Sequence, residues 1–242
     1  MRIVKVNKDS IANILSDLLK RSPTNYGDFQ DKVDAIIKNV RDNGDKAVFD
    51  YTAQFDKAEI NADNILVTEE EIKEAYEEVD DELIKVIRKA IKNIRDFHEK
   101  QIQKSWFETR EDGVMLGQKV TPMETCGVYV PGGKAVYPSS VLMNIVPAHV
   151  AGVKNIIMTT PPGKDGKVTA NTLVAAKEAG ATKVYKVGGA QAIAAMAFGT
   201  ESIPKVDKIV GPGNIFVALA KKAVYGNVSI DSIAGPSDLS VS

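Results

Sequence analysis

From about residue 122 onwards, short runs rich in β-branched residues alternate with segments whose apolar residues recur at helical spacing. Strands separated by helices of roughly 10 to 15 residues are typical of βαβ units, whose right-handed crossovers place helices on both faces of a sheet. The pattern therefore predicts an α/β fold with a doubly wound, mostly parallel sheet. The predicted strands are Gly127–Val130, Asn155–Thr159, Lys183–Val187, Lys208–Val210 and Val228–Asp231. The predicted helices are, approximately, Ser139–Ala151, Ala170–Ala179, Ala190–Phe198 and Asn214–Tyr225.

Before residue 122 the chain is more charged and rich in helical patterns. Gly44 follows one such pattern as a helix stop. Thr68 and Glu71 have the spacing of a capping box that opens another helix. The longest helix is expected from about Asp81 to Gln103, and Val114–Val120 is expected to form a strand that leads into the second part.

Glycine and polar residues follow the carboxyl ends of four of the predicted strands. In a parallel sheet these ends lie at the same edge. Open parallel sheets bind their ligands at this edge, and helix N-termini there suit phosphate or carboxylate groups. The opposite edge has no comparable series of loops, so we expect a nucleotide-like ligand, although no standard dinucleotide or Walker A motif is present. The loops are Val130-Pro131-Gly132-Gly133-Lys134, Val187-Gly188-Gly189-Ala190-Gln191, Val210-Gly211-Pro212-Gly213-Asn214 and Ile233-Ala234-Gly235-Pro236-Ser237-Asp238.

Composition and charge exclude several classes of protein. Lys and Arg number 31 against 32 Asp and Glu, a balance that argues against a general nucleic-acid-binding protein. The Lys221-Lys222 pair lies in a helical pattern and is expected on a solvated face. No segment is long and apolar enough to predict a membrane span, and the single cysteine fits a reducing, cytoplasmic compartment.

Few side chains are candidates for acid–base or metal chemistry. His98 and His149 lie on different predicted helices, and Cys126 precedes the first strand of the second part. We expect the histidines to cap or pack and the cysteine to be a small buried thiol. Two histidines and one cysteine so far apart in sequence do not predict a zinc site.

The motifs of the second part resemble those of histidinol dehydrogenase. Several long motifs occur in the order found in that family, which makes the resemblance specific. They are Cys126-Gly127-Val128-Tyr129-Val130-Pro131-Gly132-Gly133, Tyr137-Pro138-Ser139-Ser140-Val141-Leu142-Met143, Val146-Pro147-Ala148-His149-Val150-Ala151-Gly152-Val153, Gly188-Gly189-Ala190-Gln191-Ala192-Ile193-Ala194-Ala195, Gly211-Pro212-Gly213-Asn214 and Ala234-Gly235-Pro236-Ser237.

The resemblance implies an NAD-dependent, zinc-containing homodimeric enzyme that oxidises L-histidinol through L-histidinaldehyde to L-histidine in histidine biosynthesis. By motif, Tyr129, Gln191 and Asn214 match NAD-contacting positions of the family, and Ser237 matches a substrate-contacting position. An aromatic ring suits stacking, and amides suit hydrogen bonds to ribose or phosphate.

The resemblance also implies what the sequence lacks. The family's zinc ligands and its Glu-His acid–base pair follow the Gly-Pro-Ser motif, beyond the 242 residues of this sequence, so no catalytic or metal residue is assigned here. Residues 1–121 are then expected to be a helical segment and part of an incomplete first α/β domain. Residues 122–236 would form a complete Rossmann-like domain, and residues 237–242 would begin the return to the first. We expect this polypeptide alone to be inactive and to retain weak NAD binding.

Two other functions fit the same residues. One is a non-catalytic α/β module that binds a nucleotide or assembles with a separately encoded partner. The other is a related dehydrogenase acting on a different amino alcohol. A reading frame that continues downstream with the metal ligands and the Glu-His pair would distinguish a truncated histidinol dehydrogenase from the binding module.

Overall fold

The computed structural model describes residues 27–132 and 137–233. Three helices come first. Helix α1 (Gly27–Phe55) is interrupted at Gly44, whose φ of 54° and ψ of −135° are not helical. Helix α2 (Glu69–Glu78) opens with the predicted capping box of Thr68 and Glu71. Helix α3 (Asp81–His98) continues as a 3₁₀ turn over Glu99–Gln101. The sequence therefore placed the helix interruption and the capping box correctly.

A two-stranded hairpin follows the helices. Strand β1 (Trp106–Thr109) pairs antiparallel with strand β2 (Met115–Gln118), and every residue of both strands is exposed. The segment Val114–Val120 was expected to be a strand leading into the sheet of the second part. It belongs instead to this separate hairpin, because its backbone partner is β1, a strand that the sequence reasoning missed.

The second part forms a five-stranded sheet in which every pairing is parallel. Its strands are β3 (Thr125–Tyr129), β4 (Asn155–Thr160), β5 (Lys183–Lys186), β6 (Lys208–Val210) and β7 (Ser229–Ile230). Their spatial order is β5-β4-β3-β6-β7, so the chain winds outwards from β3 in one direction and then in the other. The direction reverses between β3 and β6, which makes this the switch point at which such sheets bind ligands.

The remaining helices cover both faces of the sheet. They are α4 (Pro138–Val150), α5 (Ala170–Ala179), α6 (Gly189–Phe198) and α7 (Ile215–Val224). Helices α1, α6 and α7 share one apolar core, and α2, α3, α4 and α5 share the other. Strand side chains alternate between the two cores, as the period of a β-strand requires: Ile157 packs into the first, and Ile156 and Met158 into the second.

The α/β, doubly wound, parallel architecture predicted from the sequence is confirmed. In the part of the chain that the structure describes, no helix has the length and apolar character needed to cross a bilayer. The boundaries drawn at residues 121 and 236 stay predictions.

Candidate functional site

A cleft of about 480 Å³ opens at the carboxyl edge of the sheet. Residues following β3, β4, β5 and β6 line it, so loops on both sides of the switch point contribute. The C-terminal end of helix α1 closes it from a direction that the sequence pattern did not indicate. The lining residues are Ile36, Phe55, Asp56, Tyr129, Pro131, Gly132, Pro161, Pro162, Gly189, Ala190, Gln191, Asn214 and Phe216.

Tyr129, Gln191 and Asn214, the three residues assigned to NAD by resemblance, all line this cleft. Tyr129 ends strand β3, and Gln191 and Asn214 lie at the N-termini of helices α6 and α7, which follow strands β5 and β6; the parallel sheet brings them together. The ring of Tyr129 is almost wholly buried, and its hydroxyl accepts a hydrogen bond from the backbone N–H of Gly189 at 3.2 Å. Burial raises the pKa of Tyr129 above its usual value, so the phenol keeps its proton at neutral pH.

Gln191 is the most unusual side chain of the cleft. It is 1% exposed, and neither its Nε2 nor its Oε1 atom has a hydrogen-bond partner within the protein. Leaving a buried polar group unpaired typically costs about 1–3 kcal/mol, and native proteins rarely do so without a functional reason. The carboxamide therefore offers one unused donor and one unused acceptor to a ligand.

Asn214 sits at the N-terminus of helix α7 and is exposed. Its Oδ1 accepts from the backbone N–H of Val217 at 3.2 Å, which makes it the N-cap of the helix. The cap fixes the side chain where the positive end of the helix dipole meets the cleft. This end of the helix suits an anionic or hydrogen-bonding ligand group.

Glycines allow the loops to approach one another around Tyr129. Gly211 has a φ of 119°, and a Cβ atom at this position would lie 2.1 Å from the carbonyl oxygen of Tyr129. Gly189 has a φ of 64°, and a Cβ there would lie 2.5 Å from Oε1 of Gln191. Gly211 therefore needs glycine for both its backbone conformation and the space, and Gly189 needs it for its backbone conformation.

Asp56 is a cleft residue that sequence reasoning missed. It follows directly on helix α1, where its backbone N–H donates to the carbonyl of Thr52 at 2.9 Å. Burial raises the pKa of its carboxyl group to about 6, and its Oδ2 atom is buried without a partner. No local sequence signal marks Asp56, because only the packing of α1 against the sheet brings it to the cleft.

The other candidate residues lie elsewhere. Cys126 is buried in the core on the α4–α5 face, and burial raises the pKa of its thiol to about 11. The Nδ1 atom of His98 lies 2.7 Å from Oε1 of Gln101, and His149 is exposed. Among residues 27–132 and 137–233, no three His, Cys, Asp or Glu side chains are arranged to hold a metal ion. Ser237, the predicted substrate contact, lies outside the described residues.

Lys221 contradicts the expectation of a solvated lysine pair. Lys222 is exposed, but Lys221 is only 4% exposed. Its ammonium group forms an ion pair with Asp231 and donates to the carbonyl oxygen of Gly211 at 2.9 Å. The prediction failed for Lys221 because its partner, Asp231, lies after strand β7 and so cannot be seen in the helical pattern.

The chain is similar over nearly its whole length to known proteins of one family. The model of the protein family described as "Histidinol dehydrogenase" matches residues 19–242 of this chain. The histidinol dehydrogenase of Bacillus subtilis is 58% identical over 239 residues, which cover 98% of this chain and 55% of that protein. That of Clostridium acetobutylicum is 60% identical over 206 residues, or 85% of this chain and 47% of that protein.

A solved structure agrees with these sequence relatives. The crystal structure of histidinol dehydrogenase from Elizabethkingia anophelis matches with a TM-score of 0.81 and 42% sequence identity. The match covers 86% of this chain and 48% of that one. The chain thus spans about half the length of the curated relatives that it matches.

Proposed function

Because this chain belongs to the histidinol dehydrogenase family, we propose that it supplies the NAD-binding half of an enzyme that oxidises L-histidinol, through L-histidinaldehyde, to L-histidine. The observation that carries the proposal is the cleft shared by Tyr129, Gln191 and Asn214. These residues were selected by motif alone, and they converge at the switch point of the sheet.

Gln191 supports a ligand that both donates and accepts hydrogen bonds. A dinucleotide carries ribose hydroxyls, phosphate oxygens and a carboxamide, and so offers both kinds of partner. Its binding would satisfy the two unpaired atoms of Gln191 and recover the cost of burying them. The chemistry that NAD supplies when bound is the acceptance of a hydride from the carbon being oxidised.

Tyr129 and Asn214 fit the same ligand. The hydroxyl of Tyr129 accepts from Gly189, so its own hydrogen is left to donate to an oxygen of the ligand. The N-terminus of helix α7 behind Asn214 favours a negatively charged group such as the pyrophosphate. Together they would hold the dinucleotide by its polar groups and fix its orientation in the cleft.

Asp56 favours NAD over its 2′-phosphorylated form. A carboxylate accepts hydrogen bonds from the two hydroxyls of a ribose, and it repels a phosphate in place of one of them. Asp56 has an unpaired buried oxygen in the cleft, as such a role requires. We therefore propose that this chain binds NAD more tightly than NADP.

The described residues do not fit the zinc that the family resemblance implies, since they contain no cluster of metal ligands. We propose that the zinc site, the acid–base residues and the homodimer contacts belong to the full-length protein. A general base typically contributes a factor of about 10² to 10⁴ to the rate, and a metal Lewis acid adds several kcal/mol of stabilisation. We accordingly propose that a polypeptide of these 242 residues binds NAD but does not turn over histidinol.

Calorimetric titration with NAD tests the proposal. Gln191→Leu keeps the volume of the side chain but removes both hydrogen-bonding atoms, so NAD affinity should fall by about tenfold or more. The free energy of unfolding of the same variant should be unchanged or higher, because two unpaired buried atoms are removed. Gln103→Leu, at an exposed position, is the matched control and should bind as the unaltered chain does. Unaltered NAD affinity in Gln191→Leu would refute the assignment of the cleft.

A further inference from the structure

An ion pair between a buried lysine and a partly exposed aspartate lies behind the loop that carries Asn214. The ammonium group of Lys221, on helix α7, pairs with the carboxylate of Asp231, which follows strand β7. The same ammonium donates to the carbonyl oxygen of Gly211 at 2.9 Å. The Oδ2 atom of Asp231 accepts from the backbone N–H of Gly211, also at 2.9 Å. The two side chains thus bind both polar groups of one glycine.

Gly211 is the point at which this loop contacts Tyr129. With a φ of 119° it adopts a conformation that few other residues reach, and there is no room for a Cβ against the Tyr129 carbonyl. Glycine has the largest conformational freedom to lose on ordering, so it does not hold this arrangement by itself. The hydrogen bond that Lys221 donates to Gly211 and the one that Asp231 accepts from it supply the constraint.

Stability alone is a weak explanation for such a pair. Burying the Lys221 ammonium carries a desolvation cost, and its attraction to Asp231 is partly screened because that side chain is 33% exposed. Well-packed apolar residues of similar size often stabilise a protein as much or more. Neither side chain lines the cleft, so neither would contact a ligand directly. Any effect of the pair on binding must act through the loop from Gly211 to Asn214.

We propose that Lys221 and Asp231 are positioning residues for the dinucleotide site, and that they hold the Gly211–Asn214 loop in its binding conformation before the ligand arrives. The inference rests on the proposed function, because it takes the ligand of the cleft to be NAD. Preorganisation of this kind raises affinity by removing the cost of ordering a loop on binding. The pair also fixes the start of helix α7, whose N-cap is Asn214.

The test uses two double variants of the 242-residue chain. Lys221→Met with Asp231→Asn removes the charges and the donor to Gly211, but keeps an acceptor for its N–H. Lys221→Met with Asp231→Leu removes both contacts. NAD affinity is measured by calorimetry, and hydrogen exchange is measured at the amides of Gly211 and Val217. The Asp231 carboxylate accepts from the first amide, and the Asn214 cap accepts from the second.

The control disrupts a second network on the opposite face of the sheet. Glu178 accepts from Arg88 at 2.8 and 2.7 Å and from the hydroxyl of Tyr76 at 2.8 Å. Glu178→Gln weakens this network without touching the cleft. A loss of NAD affinity caused by lower overall stability would appear in this variant too.

We expect the Asp231→Asn double variant to bind NAD about tenfold more weakly and the Asp231→Leu variant to bind more weakly still. Exchange at Gly211 and Val217 should quicken in both, and Glu178→Gln should bind NAD normally. If the Asp231→Leu variant does not fold, the Asp231→Asn variant alone tests the positioning role. Unchanged affinity and exchange in that variant, or an equal loss of affinity in Glu178→Gln, would overturn the positioning role. Failure of the unaltered chain to bind NAD would instead overturn the proposed function, on which the role depends.

Discussion

The backbone N–H of Gly189 donates to the phenolic oxygen of Tyr129, joining the ends of strands β5 and β3 over a distance of 3.2 Å. Strand β4 lies between them, and the loop that follows it passes through the gap with Pro161. A Cβ atom on Gly132 or on Gly188 would lie 2.5 Å from the Pro161 ring. The hydrogen bond therefore joins two of these strand-end loops, and the two glycines allow both to pack closely against the Pro161 ring of the third.

Tyr129→Phe tests this bond. The change removes the oxygen and leaves the Gly189 N–H without its acceptor, which should lower the free energy of unfolding by about 1–2 kcal/mol. NAD affinity should fall as well, because the phenol can no longer donate to the ligand. Urea denaturation and calorimetric titration measure the two effects. Tyr225→Phe is the control, since Tyr225 is 66% exposed, and an equal effect of both changes would contradict the role given to Tyr129.

Gly211→Ala should be among the most damaging single-methyl additions to the chain. The added Cβ would need a positive φ and would overlap the Tyr129 carbonyl, at a combined cost of about 3 kcal/mol or more. Gly226→Ala measures the cost of the positive φ alone. Gly226 has a φ of 99° with no atom within 4 Å of the added Cβ, so it should cost only about 1 kcal/mol. Thermal unfolding of the two variants measures this difference in stability. Equal losses of stability would mean that the backbone moves to remove the overlap with the Tyr129 carbonyl at no cost.

The sequence predicted those parts of the fold that depend on local pattern. The five strands of the sheet lie within about two residues of their predicted positions, since β-branched runs and helical periods mark a βαβ chain clearly. The capping box at Thr68 and the interruption at Gly44 also depend on neighbouring residues alone. Tyr129, Gln191 and Asn214 were placed at one edge because parallel strands must direct their ends together.

What the sequence did not predict depends on tertiary partners. The apolar residues of helix α3 do not all face the core: Val86 and Phe97 are 54% and 60% exposed, because only the side of the helix that carries Ile84 and Ile87 is buried. Asp56 reaches the cleft only through the packing of α1. The burial of Lys221 on helix α7 depends on its ion pair with Asp231, which follows strand β7.

Asp56→Asn should stabilise the chain at neutral pH. Burial raises the pKa of Asp56 from 3.8 to about 6, so the folded state binds its proton more tightly than the unfolded state does. The wild-type carboxyl group therefore favours folding most below about pH 4, and this contribution is lost as the pH rises through about 6. At about pH 8 the variant should be more stable by about 1 kcal/mol, a value reduced to allow for partial solvent exposure.

Urea denaturation of Asp56→Asn over the range from about pH 4 to pH 8 measures this dependence. The stability difference between the variant and the unaltered chain should grow with pH through the middle of that range. Asp63→Asn, at an exposed position between helices α1 and α2, serves as the control. A difference that is constant with pH would show that the Asp56 carboxyl does not titrate within this range in the folded protein.

Catalytic complementation tests the proposal that one half of the family's chain binds NAD and the other half supplies the catalytic groups. The part of the Bacillus subtilis enzyme that this chain does not match corresponds to roughly the other half of that protein. When the two polypeptides are expressed together, histidinol-dependent reduction of NAD should appear, because the proposed NAD cleft is then in one assembly with the metal and acid–base groups that we propose for the other half. Each polypeptide alone should show none.

The same assay separates an enzyme half from a binding module. Gln191→Leu in this chain should abolish the restored activity, and Gln103→Leu should not, so that the activity is traced to this cleft rather than to a contaminant. NAD reduction by this chain alone would contradict the assignment of acid–base and metal chemistry to the other half. Co-purification of the two polypeptides without any activity would instead favour a nucleotide-binding module, since assembly would have occurred without completing a catalytic site.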